Sequence, residues 1–178
     1  MEFFEAIEKR YSHKDKFLPD AVPLGDLELI ARAGLAAPTG INTQCVRLII
    51  LPDKEALQPL CDAVPSNSLA TAPAAIALLT CDDAQLPGRR HFDVEDYAAA
   101  ASSMSFAATA LGYGSLWLDN PYVSEEKQAA ALETLDVPAG YHLYVVMPIG
   151  LPDGEPSRRD KMPFEARVSY GKFGGSKA

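Results

Sequence analysis

Hydrophobic residues recur along this chain at helical spacing in some stretches and as short continuous runs in others, and the alternation marks out its elements. Phe3, Phe4, Ile7 and Tyr11 share one helical face, so Glu2 to Arg10 predicts a short amphipathic helix ending in basic residues. After a polar stretch, Leu24, Leu27, Ile30, Ala31, Gly34 and Leu35 repeat the pattern, with Asp26 and Glu28 early, where the positive end of a helix favours acids. This second helix is expected to stop near Ala37, before the turn-rich Pro38-Thr39-Gly40-Ile41-Asn42. Val46 to Leu51 reads as a strand closed by Pro52-Asp53, and Lys54 to Val64 as a helix followed by a loop over Pro65 to Ser68. Ala74 to Thr80 is almost continuously apolar, the mark of a strand buried on both faces.

Ala84 to His91 reads as a loop whose Arg89 and Arg90 are solvated surface. Asp93 to Leu111 is the longest helical candidate and is rich in alanine and serine, so it can approach a neighbour closely, at the centre of the domain or at a subunit interface. Gly112-Tyr113-Gly114 ends it, and Ser115 to Leu118 starts a short extended segment reaching Asp119-Asn120-Pro121. Glu125 to Leu135 predicts another helix and Tyr141 to Ile149 a third strand ending at Gly150. The rest is Pro, Gly and basic residues, with a weakly extended tail from Arg167 to Tyr170. Strands separated by helices indicate an α/β or α+β sheet with helices packed on it, and residues 1–178 read as one domain without internal repeats.

Composition narrows the function. The chain has 178 residues, 48% of them hydrophobic, and its longest apolar runs fall far short of the roughly 20 residues that cross a bilayer. An acidic Met1-Glu2-Phe3-Phe4-Glu5 lacks the basic and apolar segments of a secretory signal, so a cytoplasmic location is expected, with no membrane partner. A formal net charge of -8 argues against a nucleic-acid partner. Any anion must therefore be held by a local cluster of cations. Cys45, Cys61 and Cys81 are widely spaced, with no CxxC pair and no histidine placed to complete a metal site. They read as reduced and mostly buried, a redox role being the alternative for Cys45.

Basic residues concentrate in Lys9-Arg10-Tyr11-Ser12-His13-Lys14-Asp15-Lys16. In an extended conformation Arg10, Ser12 and Lys14 point to one side and could converge on a phosphate, although a solvated basic loop explains the composition equally well. His13 reads as surface. In Ala36 to Gln44, the side-chain amides of Asn42 and Gln44 suit a planar heterocycle presenting both donors and acceptors, and turn residues satisfying their own backbone are the competing reading. Ser157-Arg158-Arg159-Asp160-Lys161-Met162-Pro163 is a second basic cluster, or simple surface charge.

The order of these segments resembles the nitroreductase family. Its Arg-x-Ser-x-Arg/Lys segment is present as Arg10, Ser12 and Lys14, and its Ala-Pro-Ser-x-x-Asn-x-Gln as Ala37-Pro38-Thr39-Gly40-Ile41-Asn42-Thr43-Gln44. Ala72-Pro73, Leu111 to Trp117, Val146-Met147-Pro148-Ile149-Gly150 and Arg159-Asp160-Lys161-Met162-Pro163 extend the likeness over roughly residues 3 to 168. The resemblance implies an α+β fold with a central, mostly antiparallel sheet flanked by helices, in an intertwined homodimer with FMN in clefts between subunits. By motif, Arg10, Ser12 and Lys14 with Arg159 and Lys161 would hold the phosphate and ribityl chain, with Tyr11 adding backbone contacts. Pro38, Thr39, Gly40 and Asn42 would reach the flavin from the other subunit, and Asn67 from its own. The turn Leu118-Asp119-Asn120 would lie along the isoalloxazine, where a backbone N–H meets N5. The family commonly has Gln-Pro-Trp where this chain has Gln44-Cys45-Val46; Trp117 is a candidate to supply the missing aromatic wall.

What the resemblance implies chemically is ping-pong reduction of nitroaromatics, quinones or similar small acceptors. A hydride passes from NADH or NADPH through flavin N5, without a dedicated catalytic side chain. The chain has no GxGxxG fingerprint, so the nicotinamide is expected as a transient visitor. A reductase of an enone or halogenated acceptor, a flavin-storing protein with little turnover, and a structural domain without cofactor remain open at this level.

Overall fold

The computed structural model describes residues 1–81, 91–119 and 124–177. In chain order its elements are α1 (Phe3–Lys9), α2 (Leu24–Leu35), β1 (Val46–Leu51), α3 (Lys54–Ala63), α4 (Asn67–Thr71), β2 (Ala74–Cys81), α5 (Asp93–Ala110), β3 (Gly114–Ser115), β4 (Leu118–Asp119), α6 (Glu125–Thr134) and β5 (Tyr141–Gly150). The strands form one sheet in the order β1-β2-β5-β3, with β4 also on β5, and the pairings between these strands are all antiparallel.

The apolar run of β2 is explained by what covers it. Ile76 and Leu78 face Leu27, Ile30 and Met104 of α2 and α5, while Ala75, Ala77 and Leu79 face Leu57 and Leu60 of α3 and Ala131 of α6. Antiparallel sheets often leave one face to water, but here helices cover both. β5 alternates in the same way until a bulge places Leu78 opposite Val145 and Leu79 opposite Leu143. The extra residue, Tyr144, joins Val145 on the α2/α5 side, where its ring stacks on Tyr97 at 4.4 Å and its hydroxyl donates to Asp93. Re-aiming one side chain in this way is what a bulge does.

The small-residue helix is central to the domain. A Cβ on Gly34 of α2 would come within 2.8 Å of the Met104 sulfur on α5, so the glycine is what lets these helices close on each other. Ser103, Ser105 and Thr109 donate to the carbonyls of Ala99, Ala101 and Ser105, which satisfies their hydroxyls without disturbing that packing. The Tyr113 hydroxyl donates to Asp26 at 2.7 Å and ties the turn after α5 to the first turn of α2.

Some expectations need correction. Residues read as a loop after Pro65 begin α4, a helix of five residues too short to show periodicity. The single extended segment after Gly114 is two short strands along one edge of β5, interrupted because the Trp117 indole N–H turns back to the Ser105 hydroxyl at 2.8 Å. Leu118 and Asp119 thus belong to a strand paired with Val146 and Val145, not to a turn. The tail expected to be extended from Arg167 follows a 3-10 turn at Phe164–Ala166 and forms no strand, since no neighbouring strand offers it a ladder. The loop with Arg89 and Arg90 lies outside the described residues. No helix among the described residues is long and apolar enough to cross a membrane.

Ile76, fully buried at the middle of β2, is the most direct probe of this arrangement. Ile76→Ala is expected to destabilise the fold by about 2–5 kcal/mol, measured by urea unfolding at fixed protein concentration.

Candidate functional site

After α1 the chain runs as an extended strap along the rim of the sheet. His13 N–H donates to the Ser115 carbonyl at 2.9 Å, so the strap begins beside β3. Further on it pairs with the chain leaving β5: Leu18 N–H donates to Leu151 O at 2.8 Å and Asp153 N–H to Lys16 O at 2.9 Å. Helix α4 braces it from outside, the Ser68 hydroxyl donating to Lys14 O at 2.9 Å and the Phe17 N–H to the Thr71 hydroxyl at 3.2 Å. The strap is therefore a backbone rail.

His13 is not the surface residue its polar neighbours imply. It is 3% exposed, packed on Phe17 with ring centroids 4.6 Å apart. Its Nε2 lies 2.8 Å from the Lys16 carbonyl, which can only accept, so Nε2 carries a proton. On the other side of the ring the Tyr11 hydroxyl lies 3.4 Å from Nδ1.

The arm beyond Asp153 folds back over the strap. Arg158 donates to the carbonyls of Glu8 at 3.1 Å and Lys9 at 2.7 Å, groups at the end of α1, and its guanidinium lies 5.7 Å from the Tyr11 ring centroid. Those contacts satisfy helix-terminal acceptors and add a cation–π contact. The result is a cavity of about 780 Å3 lined by Arg10, Tyr11, Ser12, Lys14, Arg158, Arg159 and Lys161, with Ile7, Phe106, Glu8 and Asp15 also on its wall. Arg10, Ser12 and Lys14 thus meet Arg159 and Lys161, as the two basic segments predicted. Arg158, which closes the cavity, was not singled out, and neither were Ser68 and Thr71.

The turn after α2 is built by different means. Ile41, Asn42 and Gln44 have φ of 46°, 60° and 51°, left-handed conformations that cost non-glycine residues on the order of 1–2 kcal/mol each. Asp96, on α5 and 2% exposed, offsets that cost. Its Oδ1 accepts from Gly40 N–H at 2.7 Å, and its Oδ2 from the Thr43 hydroxyl at 3.0 Å and the Cys45 thiol at 3.3 Å. Within the turn, Gln44 N–H donates to the Thr39 hydroxyl at 3.2 Å. Pro38 and Asn42 are exposed and Thr39 half-buried, whereas the Gly40 amide is turned inward.

None of the turn residues lines the cavity, and neither do Asn67, Leu118 and Asp119. Asn67 is the exposed first residue of α4, next to the Ser68 that braces Lys14. Leu118 and Asp119 sit half-buried on β4, and Asn120 lies outside the described residues. Trp117 is packed against the α2/α5 side of the core. The cysteines are free, Cys45 buried and the other two half-buried, and no group of residues that could hold a metal occurs among the described residues.

A family model described as the nitroreductase family matches residues 7–66 and 61–151, stopping short of Arg159 and Lys161. A protein of Archaeoglobus fulgidus, provisionally named an NADH dehydrogenase/NAD(P)H nitroreductase, is 32% identical over 132 residues, 73% of this chain and 74% of its own. The crystal structure of a provisionally named NADH oxidase from Clostridium acetobutylicum superposes with a TM-score of 0.80 at 27% identity, covering 94% of this chain and 99% of that one. An FMN-dependent nitroreductase from Clostridium difficile gives a TM-score of 0.79 at 28% identity, covering 96% and 99%.

Burial, then the Asp96 carboxylate, push the Cys45 thiol up to about 11. The thiol accordingly stays protonated below that pH, and its thiolate fraction at pH 8 is only about a thousandth. Alkylation of Cys45 by iodoacetamide, followed by peptide mass mapping, is expected to be negligible at pH 8 and to rise about tenfold per pH unit toward 11.

Proposed function

The chain belongs to the nitroreductase family of oxidoreductases, and from that premise we propose that it is an FMN-dependent NAD(P)H oxidoreductase of nitroaromatics, quinones or similar small acceptors, acting as a cytoplasmic homodimer of a single-domain subunit. The observation that carries this reading is the concentration of cations. In a chain of net charge -8, Arg10, Lys14, Arg159 and Lys161 are gathered round one cavity with the Ser12 hydroxyl among them. That donor set fits a phosphate monoester with a polyol chain, since guanidinium forks and ammonium groups give charge-assisted hydrogen bonds to phosphate oxygens. A volume of about 780 Å3 is in the range of cofactor sites.

When bound, FMN supplies the hydride and electron transfer between a nicotinamide and the acceptor, which use one site in turn. The work of this chain's residues is to bind, orient and shield. Arg10, Lys14, Arg159 and Lys161 neutralise the phosphate, Ser12 donates to it, and Tyr11 contributes its backbone. The exposed side of the turn, Pro38, Thr39 and Asn42, offers its amide and hydroxyl to the ring system bound by a second subunit. Asn67, Leu118, Asp119 and Asn120 are proposed nearer the subunit's own flavin. No side chain is assigned a proton-transfer role.

Exposed apolar side chains support the homodimer. Phe4 of α1 is 77% exposed and Phe173 of the arm 103%, with Phe3, Phe164 and Tyr170 also uncovered. Residues 153 to 174 are exposed throughout, so an arm carrying large apolar side chains finds no cover on its own chain. Such surface marks a contact made elsewhere.

The purified protein is expected to be yellow and to bleach on anaerobic addition of NADH or NADPH, recovering with a quinone or nitroaromatic. Colourless protein that fails to take up FMN would overturn the reading. Arg10→Ala and Lys161→Ala are each expected to weaken FMN binding by roughly tenfold or more, measured by flavin fluorescence quenching. Light scattering is expected to give twice the 19.1 kDa chain mass.

A further inference from the structure

We propose that Asp96 is a positioning residue for the flavin-facing turn: its buried carboxylate sets the shape in which Pro38, Thr39 and Asn42 are presented. This inference rests on the flavoprotein reading above.

Three donors from one short turn converge on Asp96, namely the Gly40 amide, the Thr43 hydroxyl and the Cys45 thiol. Among the described residues no cation pairs with it, and these three donors are what its two oxygens accept from. A carboxylate 2% exposed is costly to bury unless it is well hydrogen-bonded, and an apolar residue would fill the same space without that cost. What the carboxylate adds is the ability to accept from several donors at once. General helix-terminal electrostatics does not account for it, because Asp93 and Glu95 stand in the same first turn of α5 while both Asp96 oxygens point to the turn.

The turn needs an external anchor. With Ile41, Asn42 and Gln44 left-handed, its local backbone preferences oppose the observed path. The reversal leaves Ile41 and Asn42 outward and exposed, and Gly40 and Cys45 inward. Gly40 is pressed so closely on the start of α5 that a Cβ would lie 2.2 Å from Phe92 Cγ. Its absent side chain and inward amide therefore serve the seating of the turn, and the contacts to flavin fall to its neighbours. Cys45 extends the same device. Where the resembled family commonly carries proline, without a side-chain donor, this chain has a thiol held protonated and donating to Asp96.

The test uses full-length wild type, Asp96→Ala, Asp96→Asn and Lys161→Ala, titrated with FMN and with riboflavin by fluorescence quenching, alongside thermal melting and the visible spectrum of the bound flavin. Asp96→Ala is expected to weaken both flavins by a similar factor, roughly tenfold or more, and to shift the bound flavin's visible bands. Lys161→Ala is expected to weaken FMN alone. Asp96→Asn should recover part of the loss, because its carbonyl still accepts from Gly40. An Asp96→Ala protein that binds both flavins as wild type does, with an unchanged spectrum, overturns the proposal. Should Asp96→Ala fail to fold, Thr43→Val removes one arm of the anchor, with a loss of about threefold or more for both flavins expected and no change overturning the proposal. Wild type that binds neither flavin overturns the flavoprotein reading, and this inference with it.

Discussion

Burial of β2 on both faces is the constraint from which the rest of the structure follows. A strand whose alternate side chains all enter apolar layers needs a helical layer on each side, and α2 with α5 and α3 with α6 supply them. With both faces closed, the polar parts of the chain can go only to the rim. The strap after α1 and the arm after β5 meet there, hydrogen-bonded to each other through Lys16, Leu18, Leu151 and Asp153. Neither segment has a core of its own. Their positions are inherited from β3 and β5, on which they are strung.

Charge is arranged on the same principle. An acidic protein repels anions at long range, and a cavity lined by Arg10, Lys14, Arg158, Arg159 and Lys161 reverses that sign locally. Low-dielectric walls such as Ile7 and Phe106 strengthen the reversal by limiting screening. Glu8 and Asp15 on the same wall keep it from being uniformly positive. An anion is thereby favoured at this cavity in a chain whose net charge opposes it.

Much of this was legible in the sequence where the signal is local. The continuous apolar run of Ala74 to Thr80 announced burial on both faces, and the alternation of Arg10, Ser12 and Lys14 announced a shared direction. What escaped depended on partners distant along the chain. His13 is buried because Phe17 and the sheet rim enclose it, which composition cannot reveal. Asp96 lies 56 residues from Gly40, and nothing in the helical pattern around it separates an acid that serves a distant turn from one that faces water. Helix α4 escaped because five residues between prolines carry no period. Gly40 was legible as a turn residue, but its inward amide was not, since that depends on where α5 starts.

The place of β5 has a consequence for synthesis of the chain. It is the last of the described strands to leave the ribosome and yet lies inside the sheet, between β2 and the short strands β3 and β4. Until residue 150 has emerged, β2 lacks one neighbour and β3 and β4 have nothing to pair with; until residue 161 has followed, the cavity lacks Arg158, Arg159 and Lys161. A nascent polypeptide therefore cannot close this cation-lined cavity on a half-built sheet, because the basic residues of the strap and of the arm meet only after residue 161 has emerged.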